Sequence, residues 1–270
     1  MNRARGRHLV SNSPSQNPEL TLIRRTTDNT LVKTPKINLE DIILFQNDDY
    51  IVVNKPPFIS TLADRHEKVH LLALAREYVA DAQVCHRLDK DTSGVLAIAK
   101  NPEAYRHMSL QFEHREVTKT YHAISDGIHN FNDTLVDLPI LKMDDGVVKI
   151  SKKDGKPAQT YFTTLSAYKL HTLIACKPIT GRMHQIRIHL STLKAPITGD
   201  ETYGGKPFFL SSVKRGFNLK KQTEEQPIMK RMALHAYALR FKDLSGTDRE
   251  VIAPYPKDMQ ALFRQLSENK

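Results

Sequence analysis

His86-Arg87-Leu88-Asp89-Lys90-Asp91-Thr92-Ser93-Gly94 runs directly into Val95-Leu96-Ala97-Ile98-Ala99. A polar, charged stretch thus meets a short apolar run. Gly94 to Ala99 reads as a buried strand, which makes the preceding residues a loop at a sheet end. Loops held by a rigid sheet are where catalytic groups concentrate. Asp89 stands between Arg87 and Lys90, and a nearby cation keeps a carboxylate charged and available as nucleophile or base. Asp, Thr, Ser and Gly are also ordinary turn formers, so this segment alone leaves a structural turn open.

Working outward, Tyr50-Ile51-Val52-Val53-Asn54 is a β-branched run stopped by Lys55-Pro56-Pro57, hence a strand ending in a loop. His70 to Ala82 carries apolar residues at helical spacing. Beyond the central strand, Asn101 as cap, Pro102 at the first position and Glu103 near the positive end predict a helix. Strands then dominate: Val117 to Ile124, Val147 to Ser151 after an Asp144-Asp145-Gly146 turn, Ala158 to Tyr168, and Leu170 to Cys176. Gly181 to Leu193 reads as a helix anchored by Ile186, Leu190 and Leu193. Leu234 to Phe241 is a late strand and Asp258 to Leu266 a closing helix. Strand pairs joined by short turns, with helices between others, predict an α+β fold: a mixed, largely antiparallel central sheet with flanking helices. Residues 1–38 are polar, Pro-bearing and Arg-containing, as in flexible extensions, and the folded domain is expected over 39–270. Within it, 211–230 is polar and basic, a loop or insertion.

Forty Lys and Arg against thirty Asp and Glu give a formal charge of +10. That excess favours a polyanionic partner, because each phosphate neutralised releases condensed counterions. A merely basic, well-solvated protein would show the same excess. No run of about 18 apolar residues occurs, so no membrane span is expected, and the Arg-rich start lacks the apolar stretch of a secretory signal. Two lone cysteines, Cys85 and Cys176, suit a reducing compartment; the cytoplasm is the expected location and a monomer the expected state.

Gly181-Arg182-Met183-His184-Gln185-Ile186-Arg187-Ile188-His189-Leu190 holds two cations and two histidines. The histidines are five apart, not the three or four that share a helical face, and no H-E-x-x-H occurs, so no metal is expected. An exposed basic helix face is the plain alternative. Neither nucleotide-binding glycine signature is present, so no cofactor is expected. A serine hydrolase built on Ser93 would need a G-x-S-x-G elbow, which is missing. Tyr121, in Lys119-Thr120-Tyr121, lies on an alternating strand, where an aromatic is usually a half-buried sheet residue.

Taken in order from Ile51 to Phe241, these segments resemble the RluA-type family of RNA pseudouridine synthases. Val53-Asn54-Lys55-Pro56 is similar to its V-N-K-P strand, and His86 to Gly94 to its H-R-L-D-x-x-T-S-G signature. Lys119-Thr120-Tyr121 is similar to its K-x-Y strand, and Gly181 to Leu190 to its G-R-x-H-Q-I-R-x-H segment. Pro196 to Gly204 and Leu234 to Phe241 resemble P-I-x-G-D-x-x-Y-G and L-H-A-x-x-L. The resemblance implies an active-site cleft in which Asp89 is the catalytic carboxylate, Arg187 its basic partner and Tyr121 the tyrosine that stacks on the base. It further implies that Arg87 fills the space left by a flipped nucleotide and Ile186 forms an aliphatic wall. His86, Arg182, Lys214, Arg215 and Lys220 join these as RNA-contacting candidates. The substrate would be a flipped uridine of ribosomal or transfer RNA, isomerised without a cofactor.

The sequence departs from the family pattern in three places. Pro57-Phe58 stands where a glycine is expected, and Met183 where Thr is usual. Some members carry an S4 RNA-binding domain before the core. The first 40 residues read as too short and polar for one, so none is expected there and recognition is expected to fall on the catalytic domain and the basic insertion.

Overall fold

The computed structural model describes residues 23–25, 31–33, 37–63, 69–219 and 223–269. The chain divides into two units, Met1–Asn38 and Leu39–Lys270. In the first, β1 (Ile23–Arg25) pairs antiparallel with β2 (Leu31–Lys33), a strand pair that the sequence reading of this extension does not contain.

The second unit is built on a ten-stranded sheet. Its first half contains β3 (Ile43–Gln46), β4 (Tyr50–Lys55), the short β5 (Gln83–Val84) and β6 (Ser93–Ala99). The helices α1 (Leu71–Tyr78) and α2 (Pro102–Glu113) belong to this half. Successive strand residues point to opposite faces. Tyr50, Val52, Val95 and Ala97 therefore pack with Ala104 and Met108 of α2, while Ile51, Val53, Leu96 and Ile98 pack with Leu71 and Ala75 of α1. Helices on both faces explain why these strands are apolar runs without polar alternation.

The helix over His70 to Ala82 is shorter than its spacing predicts. His70 Nδ1 accepts the Ala73 N–H at 3.2 Å, but Val79 is extended at the other end, and Arg76 Nε donates to Ala82 O to close the turn into β5. For α2 the predicted cap is in place: Asn101 Oδ1 accepts the Ala104 N–H at 2.8 Å.

The other half holds β7 (Thr118–Asp126), β8 (Thr134–Asp137), β11 (Gln159–Ala167), β12 (His171–Pro178), β13 (Leu234–Lys242) and β14 (Asp248–Ile252). β9 (Ile140–Lys142) and β10 (Val148–Ile150) form a separate hairpin. The main path is β3-β4-β6-β13-β7-β12-β11-β8, with β14 on β13 and β5 on β6. Every pairing in it is antiparallel except β13 with β6. The sheet is thus mixed and largely antiparallel, as predicted. At the parallel seam Gly94 lies opposite Ala236 with φ of 116°, and a Cβ there would sit 2.1 Å from Ala236 O. Only glycine fits.

α3 spans Gln185–Thr192 and α4 Lys257–Glu268. The helix expected from Gly181 starts four residues late because the Gln185 side chain organises a loop before it. Gln185 Oε1 accepts from Thr180 Oγ1 and the Arg182 N–H, and its Nε2 donates to Gln159 O and Thr160 Oγ1. Among the described residues no helix is long and apolar enough to cross a membrane.

Candidate active site

The loop between β5 and β6 is held from beneath. Thr61 Oγ1 donates to Leu88 O at 2.8 Å and accepts the Leu88 N–H at 3.1 Å. Lys55, fully buried, donates to the carbonyls of Pro56, Ile59 and Lys90 at 2.9–3.1 Å. Burial first, then Arg231, lowers its pKa to about 7. Arg231 is itself gripped by Asp258 at 2.7 and 3.0 Å and donates to Asp91 O. Ser93 Oγ meets His235 Nδ1 at 2.9 Å, but the serine is 1% exposed and the histidine fully buried. That pair braces the seam; no substrate reaches it, which disposes of a hydrolase on Ser93.

So held, Asp89 faces a cleft of about 770 Å³ whose lining includes Arg87, Tyr121, Arg182, Ile186 and Arg187. Arg187 Nη1 lies 3.6 Å from Asp89 Oδ2. Its shorter bonds go to Asp200: Nε to Oδ2 at 2.6 Å and Nη2 to Oδ1 at 2.8 Å. Burial opposes the guanidinium charge, but the Asp200 bonds and both carboxylates raise its pKa on balance. The guanidinium also lies over the Tyr203 ring, 4.9 Å from its centroid. His184 Nε2 is 3.8 Å from the same Asp89 oxygen, and its Nδ1 is 2.8 Å from Tyr203 Oη. Burial, then the Asp89 charge, raises the Tyr121 pKa, so this residue meets the cleft as a neutral phenol.

The remaining candidates divide. Ile186 is buried at the wall and Arg87 exposed at the rim. Arg182 lines the cleft with Nε donating to Pro157 O. His86 also lines it, but its Nε2 accepts the Ala97 N–H at 3.1 Å and its ring tilts against Phe112. Its pKa falls to about 3, through burial and then Lys119, so it meets the cleft as a neutral ring tied to the backbone through Nε2. Lys214 and Arg215 are exposed and outside the cleft lining; Lys220 lies outside the described residues. The 211–230 segment is anchored by buried Val213 and Met229, a connection to the core that its polar composition hides.

Asp200, His184 and Tyr203 were not singled out as site residues by sequence reasoning. The signal was the acid among glycines in Pro196 to Gly205: Gly199 has φ of 80°, and a Cβ on Gly205 would lie 1.8 Å from Ile197 O. Such close backbone packing buries Asp200 to 3% exposure. Two of the three departures from the family pattern have a defined local setting. Phe58 adopts φ of 68°, the conformation for which glycine is favoured. Met183 packs against Ile140, Val148 and Tyr203, in the cluster that joins the β9–β10 hairpin to α3.

This sheet and cleft have counterparts among solved structures. Human RNA Pseudouridylate Synthase Domain Containing 4 superposes with a TM-score of 0.64 at 25% identity, covering 85% of this chain and 94% of that one. Human RNA Pseudouridylate Synthase Domain Containing 1 gives 0.61 at 28%, covering 80% and 83%. Residues 49–192 match the family model described as RNA pseudouridylate synthase. Ribosomal large subunit pseudouridine synthase C of Vibrio vulnificus is 30% identical over 257 residues, 92% of this chain and 77% of the relative. Ribosomal large subunit pseudouridine synthase D of Escherichia coli K12 is 33% identical over 235 residues, 83% and 70%. The chain belongs to the RNA pseudouridylate synthase family, on its RluA branch, and is an isomerase that converts uridine in RNA to pseudouridine.

Proposed function

We propose that this enzyme modifies uridines of large-subunit ribosomal RNA, in the cytoplasm and as a monomer, with Asp89 as its catalytic carboxylate. The observation that carries the site assignment is the meeting of Asp89, Tyr121 and Arg187, from three separate segments, in one cleft. The names of the relatives favour ribosomal over transfer RNA.

A uridine stacked in RNA hides its glycosidic bond and must be flipped out, at a cost of a few kcal/mol. Arg87, exposed at the rim, offsets part of that by occupying the vacated space and contacting phosphate. Ile186 walls the pocket, and the neutral ring of Tyr121 stacks on the uracil. Asp89 assists cleavage of the N1–C1′ bond. The uracil turns and its C5 bonds to C1′; the C5 proton passes to solvent, with the Tyr121 phenol relaying it by giving up its own proton as it takes the new one, and N1 takes up a proton where its bond to C1′ broke. All atoms except the exchanged proton are retained, and no electrons enter or leave. Arg182 at the cleft, with Lys214, Arg215 and Lys220 on the basic segment, supplies phosphate contacts.

The test is tritium release from RNA labelled at uridine C5, with large-subunit ribosomal RNA and transfer RNA as alternative substrates. Asp89→Asn is expected to abolish release while RNA affinity stays within severalfold. Equal release from the variant would refute the role of Asp89; release from transfer RNA only would refute the substrate.

A further inference from the structure

His184 stands at the N-terminus of α3 with φ of 52° and makes no side-chain cap bond to that helix. A non-glycine residue in this left-handed region is held there by its surroundings, and such strain concentrates at functional sites. Here the surroundings are the Tyr203 hydroxyl on one side of the ring and Asp89 on the other.

The hydrogens on this ring can be assigned from its neighbours. Tyr203 Oη accepts the Val148 N–H at 3.0 Å. Its own hydrogen then has His184 Nδ1, at 2.8 Å, as its acceptor, and a buried hydroxyl that donates nowhere is costly. Nδ1 therefore accepts, and the proton of the neutral ring sits on Nε2, which faces Asp89 Oδ2 at 3.8 Å. Burial lowers the histidine's pKa, against the pull of Asp89, and so favours that neutral ring.

We propose that His184 is a positioning residue for the reaction: Tyr203 fixes it in the Nε2–H tautomer, and that N–H orients the Asp89 carboxylate. The inference rests on the catalytic role proposed for Asp89. In the free enzyme the contact is longer than a hydrogen bond; catalytic hydrogen bonds are often long before substrate binds and tighten in the complex. The arrangement divides labour around Asp89. Arg187 supplies charge while its two hydrogen bonds to carboxylate go to Asp200, and His184 supplies a directed, neutral donor.

Full-length protein labelled with nitrogen-15 histidine reads the tautomer directly, with His184→Phe identifying the resonance among 12 histidines. The expected result is protonated Nε2 and bare Nδ1 in the wild type, and loss of that preference in Tyr203→Phe. A resonance with the proton on Nδ1 would overturn the proposal without any appeal to activity. In turnover, His184→Gln places an amide N–H near the position of Nε2, whereas His184→Asn keeps an acceptor for Tyr203 but loses the donor. Asn tolerates the left-handed conformation best, so a purely backbone role predicts Asn as the better replacement. The donor role predicts the opposite order. His184→Gln should keep kcat within about fivefold, while Asn and Phe lose on the order of 10²-fold, as misplaced reacting groups do, with KM nearly unchanged. Asn equal to or faster than Gln would sink the idea. Asp89→Asn run in parallel separates the two failures: an active variant removes the reading of the site, an inactive one with the wrong tautomer removes only His184.

Discussion

Asp200 is the residue whose removal discriminates most sharply among accounts of this site. In Asp200→Asn the Arg187 guanidinium loses the carboxylate that accepts at 2.6 and 2.8 Å, and both side chains are buried, at 11% and 2% exposure. At an effective dielectric near 20 the gross attraction at such a distance is about 6 kcal/mol, against about 4.6 kcal/mol for the longer Asp89 contact. Removing one partner of a buried pair costs about 3–5 kcal/mol. The low end applies, because Asp89 remains as a second acceptor 3.6 Å away. With a urea m-value of about 3 kcal/mol/M, the unfolding midpoint should fall by about 1 M. The freed guanidinium should also close on Asp89 and occupy its lone pairs, so kcat in the tritium-release assay should drop at least about tenfold, as for a misplaced reacting group. A double-mutant cycle with Arg187→Met isolates the pairwise energy. A midpoint and a kcat both indistinguishable from wild type would refute the claim that Asp200 holds the arginine in place.

Gly94→Ala should destabilise by at least about 3 kcal/mol, since its Cβ would overlap Ala236 O at a positive φ; thermal unfolding reads this, and an unchanged Tm contradicts the seam. Lys214→Gln with Arg215→Gln should weaken RNA binding and reduce the salt slope by roughly 1.4–1.8 if each contacts one phosphate; titrations at several salt concentrations decide, and an unaltered slope removes the segment from the RNA path. Stability should decline in mild acid. His86 and His122 have folded pKa values lowered to about 3 and about 4, each mainly by burial. Their contribution is full above the unfolded value near 6.5 and is lost as pH falls toward the folded values, at about 1.4 kcal/mol per pH unit for each group. Urea unfolding between pH 7 and 4.5 checks this, with a shallower decline expected in His86→Gln.

The parts of this fold legible in the sequence are those in which local pattern and tertiary environment agree. Tyr50 to Val53 and Val95 to Ala99 are apolar throughout because α1 and α2 cover both faces, and Asn101-Pro102 begins α2 where its chemistry says it must. The late start of α3 was illegible: it depends on Gln185 bonding to Gln159 and Thr160 on another strand, which no helical period records. The parallel seam between β6 and β13 joins segments some 140 residues apart, and only the glycine at 94 hints at it. The same distinction governs the site. Asp89 was visible because cations flank it in the chain, yet neither flanking residue is the cation 3.6 Å from it; that is Arg187. Pairing by sequence motif gave Arg187 a single carboxylate. The folded chain gives it two, and the nearer, more buried one is Asp200. A guanidinium bonded in full to Asp89 would tie up the lone pairs that the reaction needs. With Asp200 taking the short bonds, Asp89 keeps the charge of a neighbour without its grip.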